Sequence, residues 1–235
     1  MFTLENVVPW GRSCEEYERM FALSAADLRR RIVGCADGPA AFNAVATRRG
    51  TEVVSVDPVY RWSAQKIASR IAVTRETVLE QARANASGFR WERIPSVEAL
   101  GDERGTAMDV FLADYESGRS QGRYVDAALP DLPFPDDSFD LALCSHFLFL
   151  YSDLHDLAFH ESALIELCRI APEVRVFPLL ALGGQPSPFV DPVTSFCHDR
   201  GWSVSFERVP YEFQRGAHTM MRIRAGGERA GATGA

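Results

Sequence analysis

Short apolar runs alternate with longer amphipathic segments along most of the chain. The runs that have the length and β-branched content of strands lie at 31–35, 52–57, 123–129, 139–146 and 173–178. Two further runs with period-two alternation follow at 202–211 and 217–224. Helical patterns separate them at 39–49, 156–169 and 191–200. Strands that alternate with helices predict an α/β fold with a doubly wound, mostly parallel sheet.

Two helical stretches exceed what such a sheet needs. A helix that begins after Ser13 and continues to about residue 30, with a break near Ser24 as the alternative, would form an N-terminal helical cap over 1–30, across the sheet's ligand edge. The interval 60–122 is too long for one crossover helix. We interpret it as a helical insertion after the second strand, either a substrate lid or an extra helical layer with no ligand role.

The N-terminal cap and the insertion leave two further segments to assign, the main domain and a C-terminal tail. Residues 31–224 would form the main domain, and the small, polar stretch 225–235 predicts a disordered tail. Within the insertion, helical composition covers 62–72, 74–87 and 103–117.

The strongest functional signal is a glycine turn at the end of the first strand. Gly34 and Gly38 allow a sharp backbone turn, and Asp57 follows the second strand, where it can accept hydrogen bonds from a ribose. The G-x-x-x-G spacing and the charge of Asp37 do not suit a pyrophosphate. They favour a cationic ligand such as S-adenosylmethionine, which carries a sulfonium and an ammonium and no phosphate.

Composition narrows the class of partner. The chain has 235 residues, a net charge of −7 and a pI near 5.3, which favours one large domain and makes nucleic acid an unfavourable partner. The five cysteines form no C-x-x-C pair, and no apolar run is long enough for a membrane span or a signal peptide. These features predict a reduced, cytoplasmic protein.

Three stretches resemble the class I S-adenosylmethionine-dependent methyltransferases. Residues 34–38 resemble the family's first motif and Val54-Ser55-Val56-Asp57 its second. Residues 132–140 (LPFPDDSFD) are similar to the segment that many small-molecule members carry before their fourth strand. The resemblance covers roughly 28–180. It implies a Rossmann-like, seven-stranded sheet whose last strand is antiparallel, and S-adenosylmethionine as cofactor.

The resemblance also implies a set of cofactor-binding residues. The glycine turn would face the methionine part, Asp57 the ribose, the region of Pro58 and Ala128 the adenine, and Ser145 the reacting methyl. Apart from the resemblance, the N-terminal helix packed across the ligand edge would let Arg12 and Tyr17 cap the cofactor, with a surface role for Arg12 and a packing role for Tyr17 as alternatives. The full set is Gly34, Cys35, Ala36, Asp37, Gly38, Asp57, Pro58, Ala128, Leu129, Ser145, Arg12 and Tyr17.

Three positions depart from the family pattern. Ile32 occupies the place of the acid that usually ends the first strand, Ala36 that of the middle glycine, and Ala128 that of the adenine-contacting acid. Our hypothesis is that Asp37 supplies the missing negative charge.

Candidate catalytic and substrate residues follow the fourth strand. His146 is the first candidate for a general base because it lies at the sheet's ligand edge and histidine titrates near neutrality, and Tyr151 is the second. Phe147 and Phe149 would form an aromatic wall for a planar or cationic substrate. The alternatives are that His146 holds a loop and that both phenylalanines pack in the core. We predict no metal site.

Three functions remain open at this point. The first is methyl transfer to an oxygen or nitrogen of a small molecule by in-line displacement. The second is an RNA or protein methyltransferase, and the third is a cofactor-binding partner subunit that has lost catalysis. The sequence leaves the oligomeric state open between a monomer and a homodimer.

Overall fold

A single sheet of seven strands organises the molecule. The computed structural model describes residues 9–226, and the strand order is β3-β2-β1-β4-β5-β7-β6. All neighbouring strands are parallel except that β7 is antiparallel to both β5 and β6. This confirms the predicted fold class. The strands are β1 (Arg31–Cys35), β2 (Glu52–Val56), β3 (Tyr124–Val125), β4 (Leu141–Ser145), β5 (Glu173–Phe177), β6 (Ser203–Arg208) and β7 (Thr219–Arg224).

Within 9–226, six α-helices and three short 3-10 helices precede or connect the strands. The 3-10 helices are Asp27–Arg29, Pro58–Arg61 and Ala86–Gly88. The α-helices are α1 (Cys14–Met20), α2 (Phe42–Arg48), α3 (Ala64–Ala84), α4 (Val97–Ser120), α5 (Leu157–Ile170) and α6 (Val190–Asp199).

Alternating residues of the central strands feed two separate cores. In β1, Val33 packs into the core that contains α5 and α6, whereas Ile32 packs into the core that contains α1 and α2. In β4, Ala142 and Leu141 divide in the same way. Because successive side chains of a strand point to opposite faces, each apolar run supplies both layers at once.

Several predicted boundaries were wrong. The first helix ends at Met20 because Ala22 adopts a left-handed φ of 45°, and Ser24 and Asp27 then cap a separate 3-10 turn with reciprocal hydrogen bonds. The helices predicted at 62–72 and 74–87 are one helix, α3. The helix predicted to begin at 103 begins at Val97, after the N-cap Ser96.

The third strand is much shorter than predicted. The run 123–129 pairs only at Tyr124–Val125, and Ala128 instead forms an isolated bridge with Asp131. Of the predicted tail 225–235, all but the first two residues lie outside the described residues. The division into cap, insertion and main domain stays a prediction.

The insertion packs on the sheet edge and joins the C-terminal strands. Backbone hydrogen bonds link the segment after α3 to the β6–β7 connection, from Arg90 N–H to the Phe213 oxygen (2.7 Å) and from Arg215 N–H to the Gly88 oxygen (2.9 Å). Within 9–226 no helix is both long enough and apolar enough to cross a membrane.

Candidate active site

A cavity of about 360 Å³ lies at the carboxyl ends of β1, β2 and β4. This is the edge at which open α/β sheets bind their ligands. Helices α3 and α4, the N-terminal segment and the β6–β7 connection supply its other walls. The predicted site residues that line it are Arg12, Tyr17, Cys35, Ala36, Asp37, Gly38, Asp57, Pro58, Ala128, Leu129, Ser145, His146, Phe147 and Tyr151.

Two predicted residues do not line the cavity. Phe149 is 1% exposed and packs in the core against His160, with ring centroids 5.6 Å apart. It is therefore removed from the substrate wall, and the core-packing alternative holds for it. Gly34 serves the turn in another way, since a Cβ built there would lie 2.0 Å from Asp37 Oδ2. Its missing side chain makes room for that carboxylate.

The turn after β1 is built around Asp37. The Tyr17 hydroxyl donates to Asp37 Oδ1 at 2.8 Å, and the Ser55 hydroxyl donates to Oδ2 at 2.6 Å. Burial raises the pKa of Asp37 to about 6, against the two hydrogen bonds, which lower it. A cation placed beside this carboxylate would favour its ionised form and lower its pKa.

The backbone around Asp37 is bent into left-handed conformations. Ala36 has a φ of 58° and Gly38 a φ of 51°, and the Ala36 N–H donates to the Val56 oxygen at 2.8 Å. The Tyr60 hydroxyl donates to the Gly38 oxygen at 2.6 Å and fixes the end of the turn. Ala36 tolerates this strain because its side chain is small.

Asp57 stands at the end of β2 and faces the same turn. Its Oδ2 accepts from the Gly38 N–H at 2.9 Å, and its Oδ1 accepts from the Val59 N–H at 2.8 Å. Burial raises the pKa of Asp57 to about 6, although both backbone hydrogen bonds lower it. Each carboxylate oxygen keeps a further acceptor site, so the group is held in place and still able to bind two hydroxyls.

His146 follows β4 with a φ of 52°. Its backbone N–H donates to the Phe177 backbone oxygen at 2.6 Å, and its ring Nδ1 lies 3.0 Å from the Ser145 hydroxyl. Burial holds the pKa of His146 well below its ordinary value, and the charges of Arg12 and Arg104 lower it further. The imidazole is therefore neutral at pH 7 and offers a hydrogen-bond acceptor.

Sequence reasoning missed the polar wall opposite β4. Arg104 of α4 lines the cavity and pairs with the buried Glu16 of α1, whose Oε1 also accepts from the Tyr211 hydroxyl at 2.9 Å. A signal for Arg104 existed in the sequence. Gly101, Ala107 and Met108 define a buried face of α4, and Arg104 is a charged residue at the same helical phase.

The cavity residues fit S-adenosylmethionine. The buried carboxylate of Asp37 and the half-buried carboxylate of Asp57 line the cavity, and the turn between them offers bare backbone where a bulky side chain would block a ligand. Ala127 and Ala128 leave space on the side of β3, and Leu129 and Leu132 are apolar surfaces suited to a purine. Within 9–226, no three His, Cys, Asp or Glu side chains cluster in a way that could hold a metal ion.

Comparison with known proteins gives one family match and one relative of nearly equal length. Residues 96–171 match a methyltransferase domain model. An uncharacterised protein of Methanocaldococcus jannaschii is 30% identical over 222 residues, which cover 94% of this chain and 97% of the relative.

Solved methyltransferase structures are also similar to this chain. A Synechocystis magnesium protoporphyrin IX methyltransferase with bound S-adenosylmethionine has a TM-score of 0.44 at 10% identity, over 86% of this chain and 73% of its own. A Burkholderia thailandensis 1,6-didemethyltoxoflavin N1-methyltransferase has a TM-score of 0.45 at 14% identity, over 88% and 76%. The domain match, taken with the strand order and the glycine turn, shows that this chain belongs to the class I S-adenosylmethionine-dependent methyltransferases.

Proposed function

We propose that this enzyme transfers a methyl group from S-adenosylmethionine to an oxygen or nitrogen of a small molecule. The observation that carries the proposal is the position of His146 in a concave cavity of about 360 Å³, whose walls include Arg104 of α4 and Phe213 of the β6–β7 connection. A concave site of this size suits a small acceptor better than a folded RNA or a protein surface.

The cofactor-binding residues are proposed from the hydrogen-bond acceptor sites that remain unoccupied on the two carboxylates. Asp57 would accept from the ribose hydroxyls, and Asp37, held by Tyr17, would face the ammonium group. Pro58, Ala128 and Leu129 would contact the adenine. When bound, S-adenosylmethionine supplies an electrophilic methyl on a sulfonium, whose leaving group is a neutral thioether that requires no acid.

The residues after β4 would act on the acceptor. The neutral imidazole of His146 can accept a proton or a hydrogen bond from a hydroxyl or amine, and Ser145 fixes its Nδ1 side. Phe147 and Tyr151, with ring centroids 6.4 Å apart, would bind an apolar part of the acceptor. Holding the nucleophile in line with the methyl can by itself supply ~7–11 kcal/mol of the rate enhancement.

Net charge and cysteine usage support two further parts of the proposal, that nucleic acid is not the partner and that the protein works in the cytoplasm. The net charge of −7 opposes binding to a nucleic-acid backbone. All five cysteines lie within 9–226, are buried and form no disulfide there, which fits a reducing compartment such as the cytoplasm.

The test is a transfer assay with S-adenosylmethionine that carries a labelled methyl group. The purified protein is incubated with a cell extract divided by filtration into a small-molecule fraction, an RNA fraction and a protein fraction. We expect label in the small-molecule fraction, and much less with an Asp57→Ala variant. Label confined to RNA or protein would overturn the small-molecule assignment, and a protein that binds the cofactor but labels no fraction would support the inactive partner subunit.

A further inference from the structure

Two arginines, Arg12 and Arg104, line the cavity beside His146. The sequence predicts that Arg12 caps the cofactor, and a contact with the methyl acceptor is the alternative to that prediction. Arg104 is 1% exposed, and Arg12 is partly buried behind the N-terminal segment. The Nε atom of each is buried and has no hydrogen-bond partner among the described residues. Buried guanidinium groups are normally paired, because desolvation of an unpaired charge is costly. Both therefore have binding capacity that no other residue of 9–226 satisfies.

Glu16 does not satisfy both arginines. Its Oε2 accepts from Arg104 Nη1 and from the Ser13 N–H, and its Oε1 accepts from the Tyr211 hydroxyl. Arg12 makes one long hydrogen bond, from Nη1 to the Trp10 oxygen at 3.3 Å. Within 9–226 no carboxylate lies within 4 Å of its guanidinium. Glu16 also lies 3.8 Å from Arg93, which pairs with Glu103, so the two carboxylates of this wall face three arginines.

Both arginines lie with His146 in the cavity wall, and neither pairs with Asp37. Within 9–226 no nitrogen of Arg12 or Arg104 lies within 4 Å of an Asp37 oxygen, and both guanidinium charges lower the pKa of His146. In S-adenosylmethionine the ammonium and the carboxylate share one carbon, so an arginine that bound this carboxylate would lie close to the acid that binds the ammonium. The charge of Arg12 also acts on Tyr17, which donates to Asp37, and a cofactor analogue without the amino-acid group therefore belongs in the experiment below.

We propose that Arg12 and Arg104 together bind a carboxylate of the methyl acceptor. The inference rests on the proposed function and narrows its substrate to small carboxylic acids. It also replaces the sequence-based hypothesis of a cationic substrate, because two under-paired arginines repel a cation. Planar guanidinium groups suit a carboxylate, which accepts two parallel N–H donors. The apolar side chains of Phe147, Leu150 and Leu182 would hold the remainder of the molecule.

The test is calorimetry with benzoate as the probe. Benzoate is titrated into the protein saturated with S-adenosylhomocysteine, and benzamide, of nearly the same shape and no charge, is the control ligand. We expect benzoate to bind at least about tenfold more tightly than benzamide, the factor that corresponds to one charge-assisted contact. Arg12→Gln should remove this preference and change S-adenosylhomocysteine affinity by less than about threefold. Arg75→Gln, at an exposed arginine that lies 3.3 Å from Asp102 and outside the cavity lining, should leave the benzoate preference and the S-adenosylhomocysteine affinity unchanged.

Other outcomes overturn the proposal in distinguishable ways. If Arg12→Gln weakens S-adenosylhomocysteine but not 5′-methylthioadenosine, which lacks the amino-acid group, the arginine binds the cofactor's carboxylate instead. If benzoate and benzamide bind alike, or benzoate does not bind, no carboxylate site exists. Failure of S-adenosylhomocysteine itself to bind the wild-type protein would contradict the proposed function. The double variant Glu16→Gln/Arg104→Gln tests the second arginine without leaving Glu16 as an unpaired charge.

Discussion

Asp57 combines two duties at the scale of one residue. It fixes the backbone of the glycine turn through Gly38 N–H, and it presents free acceptor sites to the cavity. We expect Asp57→Asn to weaken S-adenosylhomocysteine binding by about 10- to 100-fold, because a hydrogen bond to a charged group contributes about 1.5–3 kcal/mol. Calorimetry measures the change. Asp126→Asn, which neutralises a neighbouring carboxylate outside the cavity lining, is the matched control. Equal affinities for Asp57→Asn and the wild type would remove Asp57 from the site.

Asp37 makes ligand binding depend on pH. Its pKa is raised to about 6 in the unliganded protein, and a bound ammonium would favour the ionised form. Affinity for S-adenosylhomocysteine should therefore weaken as the pH falls from 7 to 5, and binding near pH 6 should release protons. Asp37→Asn should reduce this dependence, since only Asp57 would still titrate. Calorimetry in buffers of different ionisation enthalpy measures the protons released. Release that is the same in the variant would contradict the assignment.

The same shift acts on stability with a defined sign. Because the folded pKa of Asp37 lies above its ordinary 3.8, the native state binds more protons than the unfolded state between about pH 4 and 6. The free energy of unfolding of the unliganded protein should fall as the pH rises through that window, by roughly 3 kcal/mol for a shift of two pKa units. The raised pKa of Asp57 lowers the free energy of unfolding in the same direction. Denaturation at pH 4.5 and 7.5 measures the sum, and Asp37→Asn should reduce it.

At the scale of elements, α4 forms one wall of the cavity and packs closely on β3. It contains Gly118 where it crosses β3, and a Cβ there would lie 2.4 Å from Tyr124 Cε2. It also contains Gly105, where a Cβ would meet nothing within 4 Å. The two positions differ in packing and share one helix, so they form a matched pair.

Alanine at the two glycines should have opposite effects. Gly118→Ala should lower the free energy of unfolding by about 1–3 kcal/mol, because the methyl group overpacks the contact with Tyr124. Gly105→Ala should raise it by about 0.5–1 kcal/mol, since alanine loses less backbone entropy in a helix. Urea denaturation measures both. Stabilisation by both substitutions would show that α4 is not packed tightly on β3.

The elements also show which parts of the fold the sequence could predict. Strands β1 and β4 were predictable because each is a short apolar run buried on both faces, bounded by polar turns. The break predicted near residue 73 was wrong because Thr74 looks like an N-cap, yet it lies inside α3 and donates to the Arg70 oxygen. Exposed Val73 offers no packing signal that would distinguish a continuous helix from two shorter ones.

At the scale of the whole molecule, one half of the site consists of residues close together in the chain, and that half was predictable. The glycine turn and Asp57 belong to one strand–turn–helix–strand unit, so their spacing carries the signal. The opposite half joins residues that are far apart in the chain. Arg104 meets Glu16 across 88 positions, and Tyr211 meets it across 195. No local pattern encodes such a meeting, and only the closure of the insertion onto the β6–β7 connection creates it.

That closure makes a prediction about the cofactor. Since the cavity is bounded by the sheet, α4 and the β6–β7 connection, a ligand that fills it should stabilise all three together. At a concentration of 100 Kd, S-adenosylhomocysteine should add about 2.7 kcal/mol to the free energy of unfolding. For a chain of this length we expect a rise of roughly 5–10 °C in Tm, at about 2–4 °C per kcal/mol. Asp57→Asn at the same concentration should show a smaller rise.

Amide hydrogen exchange shows which segments bound S-adenosylhomocysteine stabilises. Protection should increase at the glycine turn and also at the hydrogen-bonded pairing of Arg90 with Phe213 and of Arg215 with Gly88, which holds the insertion to the C-terminal strands. The two regions belong to different elements, so joint protection requires that the ligand couple them. Protection limited to the glycine turn would mean that the cofactor contacts the sheet edge alone and that the insertion serves the acceptor or the fold.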